Sequence, residues 1–188
     1  ISERDLWRYR LGTTKSGRTR RRVIFPSLSD DGDLNYWVAR TVDKDKNPKY
    51  LNSKTVKKSV IFNEIDLDFR KKITLVEGPF DLIKCDDNTT CLLGSALNSS
   101  YALFQELARF RTPVLLALDA DMPGKTQKIA SLLHSAGCDV EILPLGKFSD
   151  VGEMNKNEFL SLKNSAKSWS PMDSLLQKIS SIKSGSII

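Results

Sequence analysis

No long hydrophobic run interrupts this 188-residue chain. Its apolar stretches are about a strand long, as in Val114–Leu118, well short of the roughly 18–20 residues a membrane span requires. The opening ISERDLWRYR is charged and has no apolar signal-peptide core. Histidine is nearly missing: His134 stands alone, and Cys85, Cys91 and Cys138 form no C-x-x-C pair. A Cys/His zinc site is therefore not expected in this chain. Three scattered cysteines fit a reducing compartment, so a cytoplasmic location is expected. Internal repeats and low-complexity tracts are also missing. These absences argue against a membrane protein, a secreted protein cut from this precursor and a disordered chain. What remains, with 40% hydrophobic residues, is enough to bury a core without staples.

Charge is present but unevenly placed. Residues 1–72 carry 18 Lys/Arg against 10 Asp/Glu, a net of +8, whereas residues 73–188 carry 11 against 13, a net of −2. A basic front half before a slightly acidic back half points to a polyanionic partner, most simply nucleic acid.

The patterning also changes near residue 72. Residues 1–22 are polar and basic, end in TKSGRTRRR and read as a flexible arm or a poorly packed lead-in. VIFPSL, the turn DDGD and LNYWVARTV read as an antiparallel hairpin. KYLNS and SVIFNE read as short extended pieces. From Ile73, continuous apolar runs alternate with helical patterns: ITLVE, TCLLG, VLLAL and DVEILPL as strands, with helices expected from Ser99, Pro123, Asn155 and Ser170. Ser99 is a candidate cap, and Asn155 with Glu158 has capping-box spacing. This alternation predicts an α/β fold with an open, mainly parallel sheet. The expected divisions are a small basic mixed α+β subdomain (1–72), a catalytic α/β domain (73–155) and a C-terminal helical segment (156–188).

In such sheets, ligands gather at the carboxyl ends of the strands. Acids gather there too. Glu77 ends one strand and Asp81 follows four residues later; Asp119 and Asp121 end another; Asp150 and Glu153 follow a third. Alternation along an extended strand would aim Asp119 and Asp121 at one point. Carboxylates crowded in this way disfavour one another's ionisation. Hard divalent cations relieve that cost: Mg²⁺ takes oxygen ligands and keeps several waters, and two such ions about 3.5–4 Å apart suit phosphoryl transfer. Gly124-Lys125-Thr126 imitates the end of a Walker A motif, but the glycine required five residues before Gly124 is Asp119.

Glu77-Gly78-Pro79-Phe80-Asp81, Leu93-Gly94-Ser95-Ala96-Leu97 and Asp119-Ala120-Asp121-Met122-Pro123-Gly124 together resemble the Toprim signature, a Glu motif followed by D-x-D. DnaG-type primases, type IA and II topoisomerases, OLD-family nucleases and small recombination proteins share that signature. The front half narrows the choice. Arg22-Val23-Ile24-Phe25-Pro26, Ala39-Arg40 and Pro48-Lys49-Tyr50-Leu51-Asn52-Ser53 with Lys58 resemble the basic subdomain that precedes Toprim in DnaG-type primases. Leu143–Lys147 and Asp150–Glu153 resemble the stretch that ends in D-P-D-E, with Gly152 in place of its second Asp. The resemblance covers roughly residues 20–160, and its compact form is phage-like.

The resemblance implies a Toprim (Rossmann-like) domain and a primase core, a DNA-directed RNA polymerase that makes short RNA primers on single-stranded DNA by two-metal nucleotidyl transfer. Glu77, Asp119 and Asp121 would be catalytic. Glu77, Asp81, Asp119, Asp121, Asp150 and Glu153 would hold Mg²⁺ or Mn²⁺, two or more ions. Arg40, Lys49, Tyr50 and Asn52 would bind the nucleotide. Lys58, Arg18, Arg20, Arg21 and Arg22 would follow template phosphates. The implied partners are single-stranded DNA, ribonucleoside triphosphates and a replicative helicase, with no membrane. The zinc module with which such enzymes read their start site is absent, encoded elsewhere or cut away. The alternatives are a Toprim metal-dependent nuclease and a non-catalytic single-strand-binding or helicase-loading subunit.

Overall fold

Two apolar runs flanking the Asp-Gly turn pair as expected. In the computed structural model, which describes residues 1–94, 96–121 and 123–183, β1 (Arg22–Leu28) and β2 (Leu34–Thr41) form an antiparallel hairpin with Phe25 opposite Val38. The short β3 (Tyr50–Asn52) adds to its other side, with Tyr50 opposite Arg40. Thus a three-stranded sheet carries the basic front half and sets Arg40 and Tyr50 on adjacent strands.

The second sheet has five strands in the order β5-β4-β6-β7-β8. Here β4 (Ile73–Val76), β5 (Thr89–Cys91), β6 (Val114–Ala117) and β7 (Val140–Ile142) run parallel, and β8 (Lys167–Ser168) is an antiparallel edge. Every residue of β4, β5 and β6 is buried, which explains the mostly apolar patterning of β4 and β6; β5 is Thr89-Thr90-Cys91 and buries two threonines. The helices that follow are α2 (Ala102–Phe110), α3 (Pro123–Ser135), α4 (Lys156–Lys163) and α5 (Pro171–Lys183). Asn155 and Glu158 form the expected capping box on α4. Ser99 does not cap α2: that position falls to Tyr101, whose side chain makes no capping bond. Ser95, Met122 and residues 184–188 lie outside the described residues, so their part in the quoted motifs and in the C-terminal segment is left aside. Among the described residues, no helix is long and apolar enough to cross a membrane.

The lead-in is more ordered than its composition predicts. An initial helix, α1 (Glu3–Arg8), starts with a capping box between Ser2 and Asp5. Lys156 pairs with Asp5 at 3.0 Å, and the Tyr9 hydroxyl donates to the Leu82 carbonyl at 3.2 Å. Tyr9 is buried against Phe25, their rings 5.2 Å apart. Burying one aromatic is enough to hold a short polar segment against the body.

Phe25 is the centre of an aromatic cluster that joins the two sheets. Its ring meets Phe62 at 5.2 Å and Phe80 at 5.9 Å, both edge-on. The same core includes Tyr36 and Val38 from the first sheet, and Val76, Leu115 and Ala117 from the second. Thr90 Oγ1 donates to the Phe62 carbonyl at 2.6 Å, and the Asn63 amide donates to Ser27 Oγ at 2.9 Å. The two sheets are therefore fastened by shared burial as well as by hydrogen bonds, and a groove opens between them.

Candidate active site

The groove has a volume of about 530 Å³ and walls of opposite character. From the first sheet come Arg40, Tyr50 and Asn52, with Lys49 just before β3; from the ends of the parallel strands and the loops after them come Glu77, Asp81, Asp119, Asp150 and Glu153. Parallel strands place their carboxyl ends along one edge, so acids distant in sequence converge. Glu77 directly follows β4. Asp81 lies in the 3-10 turn Pro79–Lys84, whose first residue is a proline suited to that position. Asp119 follows β6, and Asp150 caps the short turn Val151–Glu153.

On the basic wall, the Arg40 guanidinium lies over two rings, 5.6 Å from the centre of Tyr50 and 5.7 Å from that of Phe80. Lys49 Nζ lies 5.9 Å from the Tyr50 centre. Such cation–ring contacts hold a long side chain in place while leaving its charge available. Tyr50 is 38% exposed, and burial of the rest raises its hydroxyl above the usual range.

On the acidic wall, Asp81 Oδ2 accepts the Gly78 amide at 3.0 Å. Burial pushes Asp81 up to about 6; that amide and Arg40 oppose the rise, while Asp150 and Glu77 add to it. Burial also pushes Asp119 up to about 6, assisted by Glu77, Asp81, Asp150 and Asp121. Glu77 Oε1 accepts Lys125 Nζ at 2.8 Å, whereas Oε2 is buried with no hydrogen-bond partner among the described residues. Asp150 Oδ1 accepts the Glu153 amide, and Glu153 Oε2 accepts the Ser149 amide, which lowers the Glu153 carboxyl.

Two glycines shape this wall. Gly94 has φ +69 and follows Leu93 at φ +53, so the chain turns sharply to bring the Gly94 amide within 3.1 Å of the Glu77 carbonyl. Such a backbone favours glycine at 94, and Leu93 holds the left-handed form at some cost. Gly152 is a case of space instead: a Cβ there would lie 2.8 Å from Asp81 Oδ1 and 3.1 Å from Asp150 Oδ1. The departure from the D-P-D-E pattern thus falls where two carboxylates already press against the backbone.

Of the sequence-selected residues, the groove gathers Glu77, Asp81, Asp119, Asp150, Glu153, Arg40, Lys49, Tyr50 and Asn52. Its described lining leaves out Asp121, Lys58 and the arginines at 18, 20, 21 and 22. Strand β6 ends at Ala117, so the alternation that would pair Asp119 with Asp121 stops short of both, and Asp121 is exposed. Lys58 is exposed, and it is Lys57 that lines the groove, donating to the Leu93 carbonyl at 2.7 Å. Arg22 is buried and donates to the carbonyls of Ala39, Lys49 and Pro48, which removes it from an exposed basic arm. Arg21 forms a two-pronged exposed pair with Asp43. Sequence reasoning missed Phe80, Lys57 and Lys125. Phe80 lay inside the quoted Glu motif, and Lys125 lay in the Gly-Lys-Thr string considered only for phosphate binding.

The donor chemistry fits a hard divalent cation. Five carboxylates face one groove, two are held back from ionisation, and one oxygen has no partner. Among the described residues no group of three acids, cysteines or histidines is gathered closely enough to hold an ion by itself. Mg²⁺ tolerates that arrangement, because it keeps several waters and takes further ligands from substrate phosphates.

A mainly parallel sheet with acids at its strand ends defines the class: residues 74–155 match the family model described as Toprim-like. The chain resembles the DnaG-type DNA primases over most of its length, in sequence and in fold. It is 31% identical over 150 residues to the DNA primase of Listeria innocua, covering 71% of this chain and 24% of that protein. It is 34% identical over 164 residues to the DNA primase of Aquifex aeolicus, covering 78% of this chain and 32% of that protein. The crystal structure of the zinc-binding and RNA polymerase domains of the Aquifex aeolicus primase superposes with a TM-score of 0.67 at 26% identity, covering 85% of this chain and 44% of that one. The chain thus spans about a quarter to a third of the length of these curated relatives.

Proposed function

We propose that the chain is the catalytic core of a DNA primase, joining ribonucleotides on a single-stranded DNA template. The observation that carries this reading is the groove itself: a basic, ring-bearing wall facing a carboxylate wall across about 530 Å³, room for a nucleotide. A triphosphate needs cationic contacts along its length, and its reacting end needs metal-binding oxygens. The two walls offer both.

In this reading Arg40 and Lys49 bind the incoming triphosphate, and Tyr50 and Asn52 contact the nucleotide. Glu77, Asp81, Asp119 and Asp150 would hold Mg²⁺ or Mn²⁺, with Glu153 and the exposed Asp121 at the margin. The bound metal would supply charge stabilisation at the triphosphate and activation of the attacking 3′-hydroxyl. Glu77, with one oxygen unpartnered, is placed to receive that hydroxyl proton or to position a metal. Positioning and charge stabilisation would supply most of the catalysis. Template phosphates would follow the exposed cations Arg18, Arg20 and Lys58. A replicative helicase partner rests on the resemblance alone.

The test is synthesis of labelled oligoribonucleotides on mixed single-stranded DNA with Mg²⁺ or Mn²⁺. Template-dependent short products that vanish in a folded Asp119→Asn variant are expected. Metal-dependent DNA nicking without ribonucleotide incorporation would replace the reading with a nuclease. Salt-sensitive DNA binding indifferent to Mg²⁺ and to Asp119→Asn, with no product, would replace it with a binding subunit.

A further inference from the structure

One cation outside the groove's described lining pairs with the carboxylate wall. Lys125 lies in the first turn of α3, outside the lining of the groove, and its Nζ is 2.8 Å from Glu77 Oε1. The pair is largely shielded, with side chains 15% and 21% exposed, unlike the solvated pairs at Lys71–Asp68 and Arg109–Glu106. The helix that carries Lys125 is anchored by buried Ile129, Ala130 and Leu133, so the base of the lysine is fixed. Arg40, one of the cations that line the groove, is held over Tyr50 and Phe80 and acts on Asp81. The two cations thus serve different acids. Lys125 occupies one oxygen of Glu77 and leaves the other free.

We propose that Lys125 is a positioning residue acting as the site's resident counter-cation, holding Glu77 in the metal-free protein and surrendering it when a divalent cation binds. The inference rests on the metal-binding reading of the groove. Its physical basis is competition. A shielded carboxylate needs a partner, and an ammonium at 2.8 Å provides one without any ion from solution. A divalent cation that draws on both oxygens of Glu77 must first displace that ammonium. The ion pair therefore keeps the empty site assembled and weakens the apparent affinity for metal. No residue of the nucleotide-binding wall is involved.

The test is Mn²⁺ binding by the full chain without nucleotide or DNA, followed by electron paramagnetic resonance. The variants are Lys125→Met and Lys125→Gln, which retain most of the side-chain stem, and Lys125→Arg, which retains the charge. Both neutral variants are expected to bind Mn²⁺ on the order of tenfold more tightly, a usual scale for coupling between two ligands of one site. Lys125→Arg should stay near the wild type. Combining Glu77→Gln with Lys125→Met should abolish the gain. Unchanged or weaker Mn²⁺ binding in folded Lys125→Met and Lys125→Gln proteins would overturn the inference. Wild-type protein that binds no Mn²⁺ would overturn both the inference and the metal reading. Wild-type protein that binds Mn²⁺ but makes no primer would overturn only the proposed reaction.

Discussion

Asp81→Asn should make the metal-free protein more stable at neutral pH. Asp81 is held at about 6 rather than 3.8, chiefly by burial, with Asp150 and Glu77 adding to the effect. Folding therefore strengthens proton binding at this group. The stability it contributes is complete below pH 3.8 and is lost as the pH rises through about 6. A shift of about two units corresponds to about 2–3 kcal/mol between those limits. Asparagine cannot ionise, and its side-chain oxygen can still accept the Gly78 amide that Asp81 Oδ2 accepts at 3.0 Å. Removing the Asp81 charge also relieves Asp119, whose rise it supports. Urea unfolding in the presence of a chelator, repeated between pH 4 and pH 7.5, measures the difference. The advantage of the variant over the wild type should grow by about 2–3 kcal/mol across that range. Saturating Mg²⁺ should favour the wild type and narrow the gap. Parallel stability–pH curves for the two proteins would refute the electrostatic reasoning.

Two further predictions concern packing. Gly152→Ala should cost about 1–3 kcal/mol in urea unfolding, because its Cβ forces Asp81 or Asp150 to turn and give up an amide hydrogen bond. A change within about 0.5 kcal/mol, the range of an ordinary surface substitution, would show that the carboxylates yield freely. Phe62→Ala should cost about 3–5 kcal/mol, since its buried ring meets Phe25 and Tyr36 at the junction of the sheets. A shift of the urea midpoint of similar size by fluorescence and by circular dichroism would show that both sheets unfold together.

The parts of the fold that were legible in sequence are those where local and global signals agree. Strands β4 and β6 are buried on both faces and so read as mostly apolar runs without polar alternation. The Asn155–Glu158 capping box is a purely local signal and was found. The missed elements depend on distant contacts. Strand β8 has two residues and exists because it pairs with β7. Helix α1 and Tyr9 are held by Lys156, Leu82 and Phe25, none of them near in sequence. The site shows the same division. Strand-end acids were readable because topology alone brings them to one edge. The strand alternation used to pair Asp119 with Asp121 does not apply, because β6 ends at Ala117 and Asp121 lies outside the groove's described lining. Arg22 looked like part of a basic arm, yet it is drawn inward by three carbonyls that only the fold assembles. Lys125 was visible as a motif fragment, but its partner Glu77 is 48 residues away.

The central claim is that the basic, aromatic wall and the carboxylate wall act as one site for a metal-bound triphosphate. Calorimetric binding of a non-hydrolysable ribonucleoside triphosphate, with and without Mg²⁺, tests it in the wild type, Arg40→Ala, Asp119→Asn and the double variant. The account predicts Mg²⁺-dependent binding that each single change weakens. It also predicts that the double variant will lose less than the sum of the two, since both walls hold one ligand. Binding that ignores Mg²⁺ and Asp119→Asn, or losses that simply add, would contradict it.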